Sequence, residues 1–505
     1  MSICIPTHEH VGATNPASAA PRIDRQYWSA VLFVTSLSLG LGLFRLNMPT
    51  IWYDEAATWL NVSDDWRWLW LTTISGEDCG GFVYAVIIKF WTSIFGYGEF
   101  ALRAPGVLFS VGMVWVLLQI GCSLGSLRTG VYMALFGALH PVVICWSRQA
   151  RAYSLEMLLT AAYLLVLLNY GRSGGRMRAV ALTLVGSLLA LTHMFGLFVV
   201  VGGTLFLLAL RFYRSIADGD GPVRRSMIPT IVTCVLFGIW VFMMQGRVKR
   251  NLDYFWITGS ITEKYLEVLY ALIPMFAVTI FLVIAGFGLL IHRRRLPAER
   301  RLVLAVGLIL IMILGCPLAV SAFSRGAHHF ILPRYFLPGV VPIVVILGYL
   351  FAALPQRFAG PCALVLCGAM LMATDIQKYY SDAAPNGGRT RAVVSYLSEH
   401  VRKGDQIFIT PEFEKVTLHY YGVPFDSVRG AGLYDQREKL NDLLQTTPLP
   451  QAGARRWVLA YYTEPGDDLR DLGLQDCPQE RFGMIQLARV EAEAKPNPAT
   501  SSNAE

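Results

Sequence analysis

The chain has 505 residues, of which 54% are hydrophobic and only 15% charged, with a mean hydropathy of +0.47. Such a composition excludes a purely water-soluble globular protein and describes a polytopic membrane protein with room for a modest soluble domain. The net charge of +8 is no sign of nucleic-acid binding, because the arginines sit in short loops between apolar runs, where they act as an orientation signal.

The first 27 residues are polar and small and lack the basic start, short apolar core and cleavage site of a secretory signal. They read as a disordered cytoplasmic tail. About eleven apolar spans follow: 28–48, 101–121, 129–147, 153–170, 179–193, 195–210, 227–246, 267–291, 302–322, 335–353 and 359–375. Starting inside, alternation makes 122–128, 171–178, 211–226, 292–301 and 354–358 cytoplasmic. Each of these loops carries arginine, from Arg128 to the Arg293-Arg294-Arg295 run and Arg357, as the positive-inside rule requires. This topology predicts a multi-pass protein of a bacterial inner membrane, with a cytoplasmic N-terminus.

Residues 49–100 form the first outer loop. Its stretches 54–62 and 64–74, rich in Trp59, Trp66, Trp68 and Trp70, read as short helices lying in the membrane interface. Residues 81–95 are apolar but too short for a span that keeps the arginines inside, and read as a surface-lying or half-inserted helix. Composition shifts at about residue 376. Beyond it a helix over 389–401, strands at 405–410, 457–462 and 484–490, and a helix entered through Pro411 predict a small extracytoplasmic α/β domain over 376–490. The Ala/Pro/Ser/Asn-rich remainder, 491–505, reads as disordered. The fold class is therefore an α-helical transmembrane domain, 28–375, followed by that α/β domain. Of nine cysteines, most lie inside spans; Cys79 and Cys477 both fall outside the cytoplasm, and two such lone cysteines are more often free or packed than paired.

The unusual polar residues gather on the outer face of this topology. Asp54 and Glu55 follow span one, and Asp78 and Lys89 flank or enter the surface helix. Arg148, Arg151 and Tyr153 fill the second outer loop, His193 sits at a tight turn, and Arg334 and Tyr335 precede the tenth span. Arginines outside run against the positive-inside trend and need a local reason. Arg presents a rigid fork of donors that matches phosphate oxygens. A sugar leaving a lipid phosphate leaves an anion that cations stabilise, and an acceptor hydroxyl gives its proton to a carboxylate. Each residue also has a structural reading: Arg148 or Arg151 as helix caps, His193 as a packed histidine, Arg334-Tyr335 as an interfacial anchor, Lys89 as a snorkelling side chain. His328-His329 keep a divalent metal open, though adjacent histidines also serve loop solvation; no cofactor is otherwise called for.

Five pieces resemble one family: Trp52-Tyr53-Asp54-Glu55-Ala56; Tyr84 to Phe95 with Gly96-Tyr97-Gly98-Glu99-Phe100-Ala101-Leu102-Arg103-Ala104-Pro105; Ser147-Arg148-Gln149-Ala150-Arg151-Ala152-Tyr153-Ser154-Leu155; Thr192-His193-Met194-Phe195-Gly196; and Arg334-Tyr335-Phe336-Leu337-Pro338. In this order they look like the membrane glycosyltransferases of the GT-C fold, in the protein-mannosyltransferase and aminoarabinose-transferase-like branch. The resemblance implies a polyprenyl-phosphate sugar donor, inverting transfer to an extracytoplasmic glycan, lipid or protein, Asp54 as base or acceptor-orienting group, and Arg151, with Arg334, at the donor phosphate. Two departures stand out. The family's acid followed by His-Pro-Pro is here Asp78-Cys79-Gly80-Gly81-Phe82, and a common Glu before Ala-Arg is Gln149, which weakens a metal-dependent reading. A lipid-linked sugar flippase or a surface-polysaccharide polymerase remains the alternative. A transporter would place its charges nearer the bilayer midplane than at span ends.

Overall fold

The computed structural model describes residues 25–75, 81–124, 126–218, 224–253, 260–273, 300–323, 331–372, 380–385, 387–432, 437–448, 454–464, 466–467 and 469–491. They fall into two compact units, Met1–Phe44 with Asp64–Ile376, and Arg45–Ser63 with Gln377–Glu505.

The first unit is helical: α1 (Arg25–Leu43), α3 (Trp66–Ser75), α4 (Phe82–Phe95), α5 (Glu99–Leu124), α6 (Leu127–Leu139), α7 (Pro141–Ser147), α8 (Tyr153–Ser173), α9 (Arg176–Thr192), α10 (Gly196–Asp218), α11 (Arg224–Asp253), α12 (Ile261–Leu272), α13 (Arg300–Phe323), a 3₁₀ turn (Pro333–Gly339), α14 (Val340–Ala353) and α15 (Gln356–Met372). Among the described residues, four stretches are long and apolar enough to cross a membrane: Arg25–Leu43, Glu99–Leu124, Tyr153–Ser173 and Pro333–Ala353. The pair α6–α7, bent by 60°, makes a fifth if it is one span. The bend falls where His140 leaves the helical conformation and Pro141 opens α7, since proline has no N–H to continue the ladder and restricts the residue before it. The remaining expected spans coincide with helices among the described residues, except that most of 267–291 lies outside them.

Packing within this unit follows rules for helices in lipid. α5 lies along α6 and α8. A Cβ on Gly121 would stand 2.3 Å from the Gly130 Cα, so only glycine lets these backbones meet, as small residues do at membrane helix interfaces. The core is aliphatic and aromatic, with Phe136, Leu164, Phe206 and Phe336 fully or almost fully buried. Outward faces are apolar as well: Leu32, Phe90, Ile94, Val235 and Phe242 are exposed. A water-soluble surface would hide such side chains, whereas lipid solvates them.

The second unit joins α2 (Tyr53–Ser63) to α16 (Thr390–His400), β1 (Gln406–Thr410), a 3₁₀ turn (Glu412–Glu414), α17 (Lys415–Tyr420), β2 (Val428–Gly430), α18 (Arg437–Thr446), β3 (Arg455–Tyr461), β4 (Gln479–Phe482) and β5 (Ile485–Glu491). The sheet order is β2-β1-β3-β5-β4. β2, β1 and β3 run parallel, and β5 pairs antiparallel with β3 and β4. Alternate residues serve opposite cores. Ile407, Ile409, Trp457 and Leu459 meet Val393 and Leu397 of α16, whereas Phe408, Val458 and Ala460 meet Leu440 and Leu444 of α18. Helices on both faces explain why 407–409 and 457–461 read as continuous apolar runs.

Two expectations change. Residues 45–63, placed in the transmembrane domain from sequence, belong to the second unit. The first span ends at Leu43, earlier than the predicted 48. Arg45 takes a positive φ of 53°, outside the right-handed helical region, so the helix cannot run on.

Candidate active site

The residues singled out from sequence fall on both units. In the first, the stretch after α7 is buried throughout: Arg148, Gln149 and Arg151 are 3%, 4% and 6% exposed. Arg148 is occupied with α1. Its Nη1 donates to the carbonyls of Phe44 at 2.6 Å, Gly42 at 2.8 Å and Leu41 at 3.3 Å. The last carbonyls of a helix have no donor within it, and a cation suits the negative end of the helix dipole. Arg148 thus takes the capping role that sequence left as its structural alternative. Gln149 Nε2 lies 3.4 Å from Cys145 Sγ. Arg151 holds the turn through its own N–H, which donates to the Gln149 carbonyl at 2.8 Å.

Tyr153 begins α8, with its ring 4.7 Å from that of Trp146 and 5.6 Å from that of His193. His193 caps the C-terminal end of α9 in an extended conformation. Its ring lies 5.6 Å from that of Tyr335 and 5.8 Å from that of Phe195. The structure therefore gathers Tyr153, His193 and Tyr335, three of the residues picked out by sequence, and the Arg334 guanidinium lies 5.8 Å from the Tyr335 ring. Against His193 stands a residue that sequence reasoning missed. Glu156 is fully buried on α8, and its Oε1 lies 3.3 Å from His193 Nδ1. The signal was present: a carboxylate inside an apolar span, three residues after Tyr153 and so on its helical face.

Lys89 is engaged elsewhere. Its ammonium donates to the Asp64 carbonyl oxygen and stands 5.3 Å from the Trp66 ring, tying α4 to the start of α3. α4 is entered through Gly81, whose φ is +79°; a Cβ there would stand 1.9 Å from the Thr192 carbonyl oxygen. Glycine at this position is thus required by close approach to the end of α9. Asp78, Cys79 and the His328-His329 pair lie outside the described residues. Among the described residues no group of three or more His, Cys, Asp or Glu side chains is placed to hold a metal ion, and Cys477 is a free thiol.

In the second unit, Asp54 and Glu55 form the first turn of α2 rather than the end of span one. Carboxylates are favoured there by unpaired N–H groups and the helix dipole. Asp54 is half-buried, while Glu55 is fully buried. The helix is held by neighbours far away in sequence. The Tyr53 ring lies 4.6 Å from that of Phe413, and Trp59 lies 5.5 Å from His419 and 5.3 Å from Tyr420. The Ile51 N–H donates to the Tyr421 hydroxyl at 2.8 Å. These contacts bring in a second acid that sequence did not reveal. Glu414 is 1% exposed; its Oε2 accepts from the Thr417 hydroxyl at 2.6 Å and its Oε1 from the Tyr462 hydroxyl at 2.5 Å. Burial pushes its carboxyl up to about 7, and the charge of Asp54 acts in the same direction, against the two hydrogen bonds.

Two solved structures resemble the chain along nearly its whole length. ArnT from Cupriavidus metallidurans in the apo state matches with a TM-score of 0.57 and 12% identity, covering 94% of this chain and 100% of that one. ArnT bound to undecaprenyl phosphate matches with a TM-score of 0.56 and 12% identity, over 94% and 99%. No protein-family model and no curated protein matches the sequence. The likeness is one of fold: the chain has the polytopic GT-C architecture that its five motifs predict, with a small C-terminal sheet domain.

Proposed function

We propose that the chain is an integral membrane glycosyltransferase that moves a sugar from a polyprenyl-phosphate carrier to an extracytoplasmic acceptor, whether glycan, lipid or protein, with inversion. The observation that supports this reading best is the shared fold, spanning 94% of this chain, with a protein whose structure holds undecaprenyl phosphate. On this reading Asp54 takes the acceptor hydroxyl proton. The acceptor oxygen forms its bond to the anomeric carbon as the carbon–phosphate-oxygen bond breaks, and the lipid phosphate leaves with the electron pair. Arg151 and Arg334 balance that anion. Arg148 is left out of the phosphate role because the end of α1 already occupies it. The reading calls on no metal; the neutral amide of Gln149 in place of a carboxylate weakens a metal-dependent variant of it. The protein would sit in a bacterial inner membrane with its C-terminal unit outside.

Mass spectrometry of lipid-linked sugars and envelope glycans in a deletion strain, the restored strain and an Asp54→Asn strain tests this. The expected result is accumulation of one polyprenyl-phosphate sugar and loss of one glycan residue in both mutants. Losing a general base lowers turnover by about 10²- to 10⁴-fold. Glycans altered by deletion but normal in Asp54→Asn would overturn the enzyme reading in favour of a flippase.

A further inference from the structure

Glu156 lies in the first turn of α8 with no exposed surface. Both of its carboxylate oxygens are buried and accept no hydrogen bond among the described residues. An acid buried without donors is costly, and on a membrane helix it points to a site with a partner. The partner is His193, whose Nδ1 stands 3.3 Å from Oε1. The same nitrogen lies 3.4 Å from the Phe195 backbone nitrogen. Among the described residues, both contacts of the ring nitrogens are therefore at Nδ1, which leaves Nε2 for a ligand. His193 keeps 9% of its surface exposed.

The ring also lies next to the neighbours of two arginines. Tyr153, two residues after Arg151, and Tyr335, the residue after Arg334, are each 5.6 Å from it. Charge balance decides what Nε2 offers. A pair buried this deeply is best kept neutral overall, because an unbalanced charge there is costly. Two arrangements are neutral. One is a carboxylate with an imidazolium. The other is a carboxyl whose O–H donates to Nδ1 of a neutral imidazole. In both, Nε2 carries a proton.

We infer that Glu156 is a positioning residue for the lipid-phosphate donor: by holding Nδ1 it turns His193 so that Nε2–H donates to a phosphate oxygen, beside Arg151 and Arg334. This rests on the proposed function for the identity of the donor. The donation strengthens as the sugar departs and the phosphate gains charge. Glu156 itself touches neither donor nor acceptor and acts through the ring.

The experiment uses the full chain in detergent, with undecaprenyl phosphate as the probe and phosphorus NMR titration as the readout. His193→Phe keeps a flat ring without an N–H, and is expected to weaken binding about tenfold. Glu156→Leu is expected to weaken it by a similar factor, and to add no further loss in the double variant, since the two residues act as one unit. Glu156→Gln still offers Nδ1 a hydrogen bond, and is expected to recover most of the binding. Glu156→Leu is expected to melt no lower than wild type, because leucine leaves no buried acid to satisfy. Wild-type binding in Glu156→Leu, or additive losses in the double variant, would overturn the proposal. A Glu156→Gln protein that binds as weakly as Glu156→Leu, with both melting well below wild type, would assign Glu156 to structure alone and overturn it as well. The expected binding pattern in a chain that transfers no sugar would uphold the positioning role and refute only the enzymatic reading.

Discussion

Replacing Arg148 by alanine separates its two possible roles. In the structure its Nη1 bridges three carbonyls at the end of α1, at 2.6, 2.8 and 3.3 Å. Nη1 has two hydrogens, so the 3.3 Å contact shares a donor with one of the shorter two; a net hydrogen bond from a charged donor is worth about 1.5 kcal/mol, and the loss of two costs about 3 kcal/mol. Favourable interaction with the helix dipole adds up to about 1 kcal/mol. Because a large unit shifts by about 2 °C for each kcal/mol, thermal unfolding of Arg148→Ala in detergent should fall by about 6–8 °C. Arg148→Lys keeps the charge but not the planar fork, and should recover about half of the loss. Donor KM, measured on the folded fraction, should stay within about twofold of wild type, since an uninvolved residue contributes nothing to donor binding. A variant that melts like wild type while its donor KM rises tenfold would refute the capping argument and return Arg148 to the phosphate.

Arg151→Ala should show the opposite pattern, with donor KM raised about tenfold or more through loss of a charge-assisted phosphate contact; unchanged donor saturation rejects its phosphate role. Glu414 predicts a particular dependence of stability on pH. Its carboxyl is raised from 4.5 to about 7, so the folded chain holds a proton that the unfolded chain releases. Its contribution is intact below about pH 4.5 and is lost as pH rises to about 7, by about 3 kcal/mol in all. Melting temperatures at pH 5 and pH 8 should therefore converge in Glu414→Gln, and an identical slope in both proteins would show that Glu414 ionises normally.

Much of this architecture was readable because hydropathy alone marks helices that cross lipid, and a short continuous apolar run marks a strand such as 406–410 buried on both faces. What escaped notice was either short, polar or non-local. β2 has three residues, and β4 is the edge sequence Gln-Glu-Arg-Phe; neither carries a pattern that local propensity can read. The α6–α7 bend was marked by Pro141 but hidden inside an apolar run that reads as one span. Glu156 was visible as a charge within a span, yet its meaning depends on His193, 37 residues away. Glu414 was beyond reach, because its environment is made by Tyr462, 48 residues on, and by a charge 360 residues earlier in the chain.

That separation changes how the C-terminal unit should be tested. From its position, residues 376–505 look like a detachable cap that selects the acceptor, and truncation looks like the natural experiment. The structure argues otherwise, because the segment carrying Asp54 is built into this unit. Thr50 bonds to the Asp382 carbonyl through both its N–H and its hydroxyl, each at 3.0 Å. Arg391 donates to the carbonyls of Asn47 at 3.0 Å and Met48 at 3.3 Å, and Tyr421 receives the Ile51 N–H. Truncation would remove all five bonds together with the aromatic partners of Tyr53 and Trp59, and α2, at 11 residues, is too short to hold its shape alone. Loss of transfer on truncation would then report a displaced Asp54 rather than a lost acceptor site. Tyr421→Phe is the sharper probe: it removes one bond of about 1 kcal/mol and leaves the sheet and its two cores in place. A several-fold fall in kcat with acceptor preference unchanged would show that the C-terminal unit acts through the position of Asp54. A changed acceptor preference with kcat intact would restore the cap.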